Sequence, residues 1–242
     1  MTQNTHRRIS RRGFMKGAAG IGGGIAAASF AASFGMGTAF AGHDAKDEVV
    51  TIANLAATAE TLAATSYYNT IKNNPHGFSD AELHYLKLAM SSELYHLAIL
   101  QSLGGKSLAD KFYVPEKFLT DKGVNTATFT AAETAFTGAY LAATRRFAEL
   151  GNPRLAATTA QHAATEAEHL ALSRLLGGFV PNPNGLPAPI FYNVSDAAPV
   201  LGPFLQGGKG FIGPVPFPGV DAINALLAGV QAVKVPTMLA VF

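Results

Sequence analysis

Glu60 is followed 33 residues later by Glu93, which opens Glu93-Leu94-Tyr95-His96, and the arrangement then returns. Glu133 is followed 33 residues later by Glu166, which opens Glu166-Ala167-Glu168-His169. Every member of the second copy lies 73 positions after its counterpart in the first (60 to 133, 93 to 166, 96 to 169). The same offset carries Tyr67 onto Tyr140, Glu60-Thr61 onto Glu133-Thr134, and Leu103-Gly104-Gly105 onto Leu176-Gly177-Gly178. Two copies of a lone Glu and a Glu-x-x-His supply four carboxylates and two imidazoles. This is the ligand set of a dinuclear metal site inside a four-helix bundle.

Helical geometry gives the spacing its meaning. Residues three apart share a face about one turn along, so Glu-x-x-His presents both side chains to one metal from one helix. The lone Glu of each partner helix is free to bridge the pair or to bind terminally. Glu60 stands among Leu55, Ala56, Ala59, Ala63 and Ala64. A carboxylate turned inward there is costly unless it is paired or binds a metal. Tyr67 and Tyr140 each follow their glutamate by seven residues, two turns along the same face. They are placed to hydrogen-bond a ligand carboxylate or to take part in one-electron chemistry, although aromatic residues at helical spacing also serve as core.

Other ionisable residues fit the pattern less well. His84 lies nine residues before Glu93, on the opposite side of its helix. His76 sits in a turn and His43 near the start of the domain. His162, four residues before Glu166, is expected at one end of the site as a surface or outlying histidine. Glu168 is out of phase with Glu166 and expected to be exposed. Glu82, Glu116 and Glu149 read as surface or capping charges.

Four Ala- and Leu-rich segments must position these residues. The first is predicted from about Asp47 to Asn73, before Asn74-Pro75-His76-Gly77. The second starts at Ser79, with Glu82 three residues on as a capping box, and ends at Gly104-Gly105. The third is expected from about Thr128 to Leu150, and the fourth from Asn152-Pro153 to Gly177-Gly178. The first and last connections are short, whereas the middle one, Lys106 to Ala127, is long. The expected fold is all-α, two antiparallel helical hairpins joined by a long crossover. Residues 42–178 form this bundle. Residues 179–242 form a Pro- and Gly-rich C-terminal extension with one short helix, about Asp221 to Val233. That apolar extension is expected to wrap the bundle or to mediate a homo-oligomer.

The first 41 residues read as a leader rather than as part of the domain. Ser10-Arg11-Arg12-Gly13-Phe14-Met15-Lys16 is a twin-arginine sequence, a weakly hydrophobic stretch follows, and Ala39-Phe40-Ala41 is a small-x-small cleavage signal. Export to the periplasm or the exterior follows, with no stable membrane anchor after cleavage. The leader holds five of the 18 basic residues and no acidic one, so its removal leaves 13 basic against 16 acidic residues. That slight negative balance gives no case for a nucleic-acid partner. Cysteine is absent, which excludes disulfides, thiolate-bound iron–sulfur clusters and c-type haem. Any metal must use oxygen and imidazole ligands, which suit iron, manganese or zinc.

At these residues the chain resembles the ferritin-like superfamily, and within it the exported bacterial ferritin-like-domain proteins, the group that takes in the desiccation-related proteins. The resemblance covers about residues 47–178. It implies that Glu60, Glu93, His96, Glu133, Glu166 and His169 fill the six ligand positions for two Fe or two Mn ions. It further implies oxidase or ferroxidase-type chemistry with O2, in stress protection. Alternatives are a di-manganese catalase-like scavenger of H2O2, and a non-enzymatic protein stabilised by its metals. The symmetric ligand set and long extension argue against a ferritin storage shell.

Overall fold

The computed structural model describes residues 47–230, so the leader, His43 and the cleavage signal lie outside the described residues. Four long helices dominate: α1 (Val49–Ile71), α2 (Asp80–Ser102), α3 (Lys122–Glu149) and α4 (Pro153–Leu176). A strand β1 (Lys111–Pro115) interrupts the connection between α2 and α3. After α4 come a 3-10 turn (Val194–Ala197), α5 (Ala198–Gln206), strand β2 (Phe211–Pro216) and α6 (Val220–Leu226). The described chain is thus mostly helical, with one small antiparallel sheet of β1 and β2.

Local chemistry explains the helix ends. Asn73 and Asn74 take positive φ after α1, and Asn74 closes the turn by exchanging two hydrogen bonds with the Phe78 backbone, at 2.7 and 2.8 Å. Ser79 and Glu82 form the expected capping box. Pro153 occupies the first turn of α4, and the Asn152 side chain caps it. The third helix starts six residues earlier than expected, at Lys122 rather than Thr128. Asp121 caps it by accepting from Val124 N–H at 2.9 Å, and Gly123 is accommodated in the first turn.

Helix directions follow from contacts between chains of side groups. The eight-residue link from α1 to α2 and the three-residue link from α3 to α4 are too short to return along helices of about 34 Å, so each pair runs antiparallel. Tyr67, late in α1, meets Glu133, early in α3, while Tyr140 meets Glu60. Helices α1 and α3 therefore also run antiparallel. His96 meets Glu166 and His169 meets Glu93, so α2 and α4 do the same. The parallel pairs sit diagonally, and the connection between α2 and α3 must traverse the length of the bundle.

The core is unusually rich in threonine. Thr58, Thr61, Thr65, Thr128, Thr137 and Thr159 are buried, and each hydroxyl donates to the carbonyl four residues earlier. The hydroxyl is satisfied within its own helix and the methyl group is left to pack. Larger side chains from the extension join the same core, including Phe191, Val194, Val200, Leu201, Phe204 and Ile223. Arg145 of α3 stacks on the Tyr192 ring and donates to the Tyr192 carbonyl, and the Asp47 carboxylate accepts from Ser195 N–H. Within this chain the extension wraps the bundle.

The extension holds more structure than one short helix. Helix α5 carries Pro199 in its first turn and Pro203 inside, a composition that reads as irregular. Helix α6 covers Val220–Leu226, and the remainder of the expected Asp221–Val233 segment passes into a turn and then beyond the described residues. Gly138 marks where the extension meets α3: a Cβ there would stand 2.5 Å from Ile190 Cγ1. Among the described residues, no helix is long and apolar enough to cross a membrane.

Candidate metal centre

The four helices each deliver part of one cluster. Helix α1 brings Glu60 and Tyr67, α2 brings Glu93 and His96, α3 brings Glu133 and Tyr140, and α4 brings Glu166 and His169. All four glutamates are 0% exposed. The ligand atoms form two overlapping groups that could each hold a metal ion, Glu60-Glu93-His96-Glu166 and Glu93-Glu133-Glu166-His169. Within each group the atoms lie within 4.8 Å of one another. Glu93 and Glu166 belong to both groups, whereas Glu60 and Glu133 belong to one each.

Imidazole contacts follow the same twofold logic. His96 Nδ1 lies 2.9 Å from Glu166 Oε1, 3.4 Å from Glu93 Oε2 and 3.7 Å from Glu60 Oε1. His169 Nδ1 lies 2.8 Å from Glu93 Oε1 and 3.3 Å from Glu166 Oε2. Each histidine reaches across to the shared glutamate of the opposite helix. The shortest of these contacts, His96 to Glu166 and His169 to Glu93, lack hydrogen-bond geometry.

Burial makes the arrangement expensive without a cation. Five carboxylate oxygens have no hydrogen-bond partner: Glu60 Oε2, both Glu93 oxygens, Glu133 Oε2 and Glu166 Oε1. At roughly 1–3 kcal/mol for each buried unsatisfied atom, the cost is on the order of 5–15 kcal/mol. That equals the whole net stability of an ordinary domain. A bound cation would satisfy these atoms together, so the residues present fit a metal.

Electrostatics in the metal-free cluster divide the six groups. Burial, then Glu166 and Glu93, pushes Glu60 well above the usual carboxylate range. Burial, again with Glu93 and Glu166, does the same to Glu133. Burial also works against ionised Glu93, but His169 outweighs it and holds that carboxyl far below the usual range. For Glu166, burial and Glu93 act against ionisation, but the neighbouring imidazoles of His96 and His169 outweigh them and the carboxyl is lowered. Burial opposes charge on both imidazoles. The neighbouring carboxylates overcome it, Glu60 foremost for His96 and Glu93 for His169, and raise both well above the ordinary imidazole range. The shifts push two carboxyls toward the neutral form, two toward the ionised form and both imidazoles toward the cation. Four carboxylates with two divalent cations are neutral.

The tyrosines cross the pseudo-twofold axis. Tyr67 Oη donates to Glu133 Oε1 at 2.6 Å, and Tyr140 Oη donates to Glu60 Oε1. Each therefore bonds the lone glutamate of the other copy, not its own. Burial, with Glu133 and Glu60 respectively, raises both phenols far above their ordinary range, so both stay protonated donors. Tyr67→Phe leaves one more buried carboxylate oxygen unpaired. The metal-free variant is expected to lose about 1–3 kcal/mol, read as a lower urea midpoint with an unchanged slope. An unchanged midpoint would show that Glu133 takes another partner.

The surroundings are apolar. A cleft of about 510 Å³, its open mouth included, lies between α1, α3 and the extension. Ile52, Ala59, Phe136, Val194 and Leu201 line it, and Tyr140 forms part of its wall. A smaller one of about 300 Å³, lined by Leu62, Phe118, Phe129 and Phe204, reaches Glu133. The extension thus roofs the α1–α3 side of the cluster with apolar side chains.

Of the residues set aside in the sequence, His84, Glu116 and Glu168 are exposed. Glu82 caps α2 and pairs with Lys122 at 3.0 Å, and Glu149 pairs with Arg145 and Arg146. His76 is buried in its turn against Phe78. His162 departs from the surface alternative: it is buried, with its ring centroid 4.4 Å from that of His96 and 4.8 Å from that of Tyr140. Its four-residue spacing from Glu166 is the signal that could have placed it on the inner face. Burial, and next the charge of His96, pushes it down to about 4. Compared with family models, curated proteins and solved structures, the chain finds no match in any of the three.

Proposed function

We propose that this chain is an exported, ferritin-like dinuclear-metal protein with oxidase or ferroxidase-type chemistry. The observation that carries the reading is the convergence of four fully buried carboxylates and two imidazoles in two groups sharing Glu93 and Glu166. Glu60, Glu93, His96 and Glu166 would hold one ion, and Glu93, Glu133, Glu166 and His169 the other. Helix directions with diagonal parallel pairs, and the long connection between α2 and α3, support the ferritin-like assignment.

Two iron ions in such a site would supply Lewis acidity and one-electron redox steps toward O2. The chain's own residues do the rest. Tyr67 and Tyr140 hold a proton on each lone glutamate's Oε1 side and fix that carboxylate's orientation. The apolar roof excludes bulk water, which strengthens every charge interaction inside. The twin-arginine leader fits this reading, because that route carries folded protein and lets metal choice be made in the cytoplasm.

The test is uptake of O2 when ferrous iron is added to metal-free protein. The reading expects rapid O2 consumption at about two iron per chain. A di-manganese catalase would instead release O2 from H2O2 after manganese loading. Silence in both assays, with metal bound, would leave a structural role.

A further inference from the structure

The 73-residue repeat makes the two metal positions formally equivalent, but one buried side chain breaks the equivalence. His162 lies one turn before Glu166 on α4. Its counterpart by the same offset, one turn before Glu93 on α2, is Ala89, which carries no donor atom. Both positions are buried.

The orientation of the imidazole is fixed. Its Nδ1 lies 2.8 Å from the Thr158 carbonyl one turn back. A carbonyl only accepts, so Nδ1 carries the proton and Nε2 carries the lone pair. Nε2 is fully buried and has no hydrogen-bond partner. The ring packs against His96 and Tyr140, the two residues that mark the Glu60 side of the cluster. An imidazole held in one tautomer by a backbone carbonyl, with its free nitrogen buried and its ring packed on that of His96, has the arrangement of a metal-ligating histidine and its orienting partner. It stands outside the group whose ligand atoms lie within 4.8 Å of one another, so ligation would draw the ring inward.

We propose that His162 is a further metal ligand serving the position held by Glu60 and His96, and that the position held by Glu133 and His169 has no equivalent. The two ions are then bound unequally: one has two nitrogen donors and the other has one. Added nitrogen donation favours later divalent metals at that position, so the site discriminates between its two ions by construction. This rests on the dinuclear reading above.

The experiment is titration of metal-free full-length mature protein with Co(II), followed by visible absorption and by direct metal binding. Wild type is expected to take up two ions in two resolved steps. His162→Ala is expected to weaken the tighter step by roughly tenfold or more, with its spectrum changed, and to leave the other step in place. Should His162→Ala fail to fold, wild type with one equivalent of Mn(II) supplies the second measurement. Pulsed EPR is then expected to count two imidazole nitrogens on the bound ion. Unchanged affinities and spectra in His162→Ala, or a single nitrogen in wild type, would overturn the proposal. Two ions bound without regard to His162 would sink this inference alone, whereas no uptake by wild type would sink the dinuclear reading with it.

Discussion

Stripping the proposed ions with a chelator at pH 8 will lower the melting temperature by about 8–16 °C for each ion removed. Ligand linkage gives about 4 kcal/mol for one site at a thousandfold excess over its dissociation constant. A domain of this size shifts by roughly 2–4 °C per kcal/mol. The expected shift grows with pH, for a reason contained in the cluster. Metal-free Glu60 and Glu133 sit above the usual carboxylate range, and His96 and His169 above the usual imidazole range. Groups with raised values stabilise the fold below their ordinary range and lose that contribution as pH climbs toward the raised value. The lowered pair, Glu93 and Glu166, acts in the opposite sense, but that contribution is complete once pH passes the ordinary carboxylate range. Between about pH 5 and 8 the metal-free protein therefore weakens, while metal ions take the place of the protons in the loaded form. Calorimetric melts of loaded and stripped protein at pH 5, 6, 7 and 8 check this. A gap that narrows with rising pH would contradict it.

Glu93→Gln will cost both ions, whereas Glu133→Gln will cost one. Glu93 contributes oxygen atoms to both ligand groups, and Glu133 contributes to one. Loss of a shared ligand removes the charge that holds the two cations together and leaves His169 facing an amide instead of a carboxylate at 2.8 Å. Equilibrium dialysis should then give fewer than about one tenth of the wild-type ions in Glu93→Gln, on the usual cost of 10–100-fold or more for disturbing a site. Glu133→Gln should retain about half. Oxidation of ferrous iron should fall by roughly a hundredfold or more in both, since two-metal chemistry needs both positions filled. Equal retention in the two variants would show that assigning Glu93 to both ions and Glu133 to one is wrong.

How much of this was legible follows from where the information sits. The six clustered residues were readable because type and spacing are local: Glu-x-x-His needs one helix, and the repeat supplied its partner. The capping boxes and the glycine-terminated helices were local as well. The early start of α3 was missed because Gly123 reads as a breaker, although Asp121 capping at Val124 N–H outweighs it. Strands β1 and β2 pair Lys111 with Pro216 and Phe112 with Val215, across about a hundred residues and in segments rich in proline. No short-range pattern announces such a partner. Helix α5 hid behind Pro199 and Pro203 for the same reason. His162 reads from its spacing as a surface or outlying histidine, whereas its burial depends on Tyr140 from another helix and could not be read from α4 alone.

The central claim is that this cluster holds two redox metals, and metal content tests it most directly. Protein purified from its native host is to be measured by mass spectrometry beside a Glu93→Ala, Glu166→Ala double variant. The account predicts about two Fe or Mn per chain in wild type and none in the variant. Wild-type protein without redox metal, or metal retained equally by the variant, would contradict it.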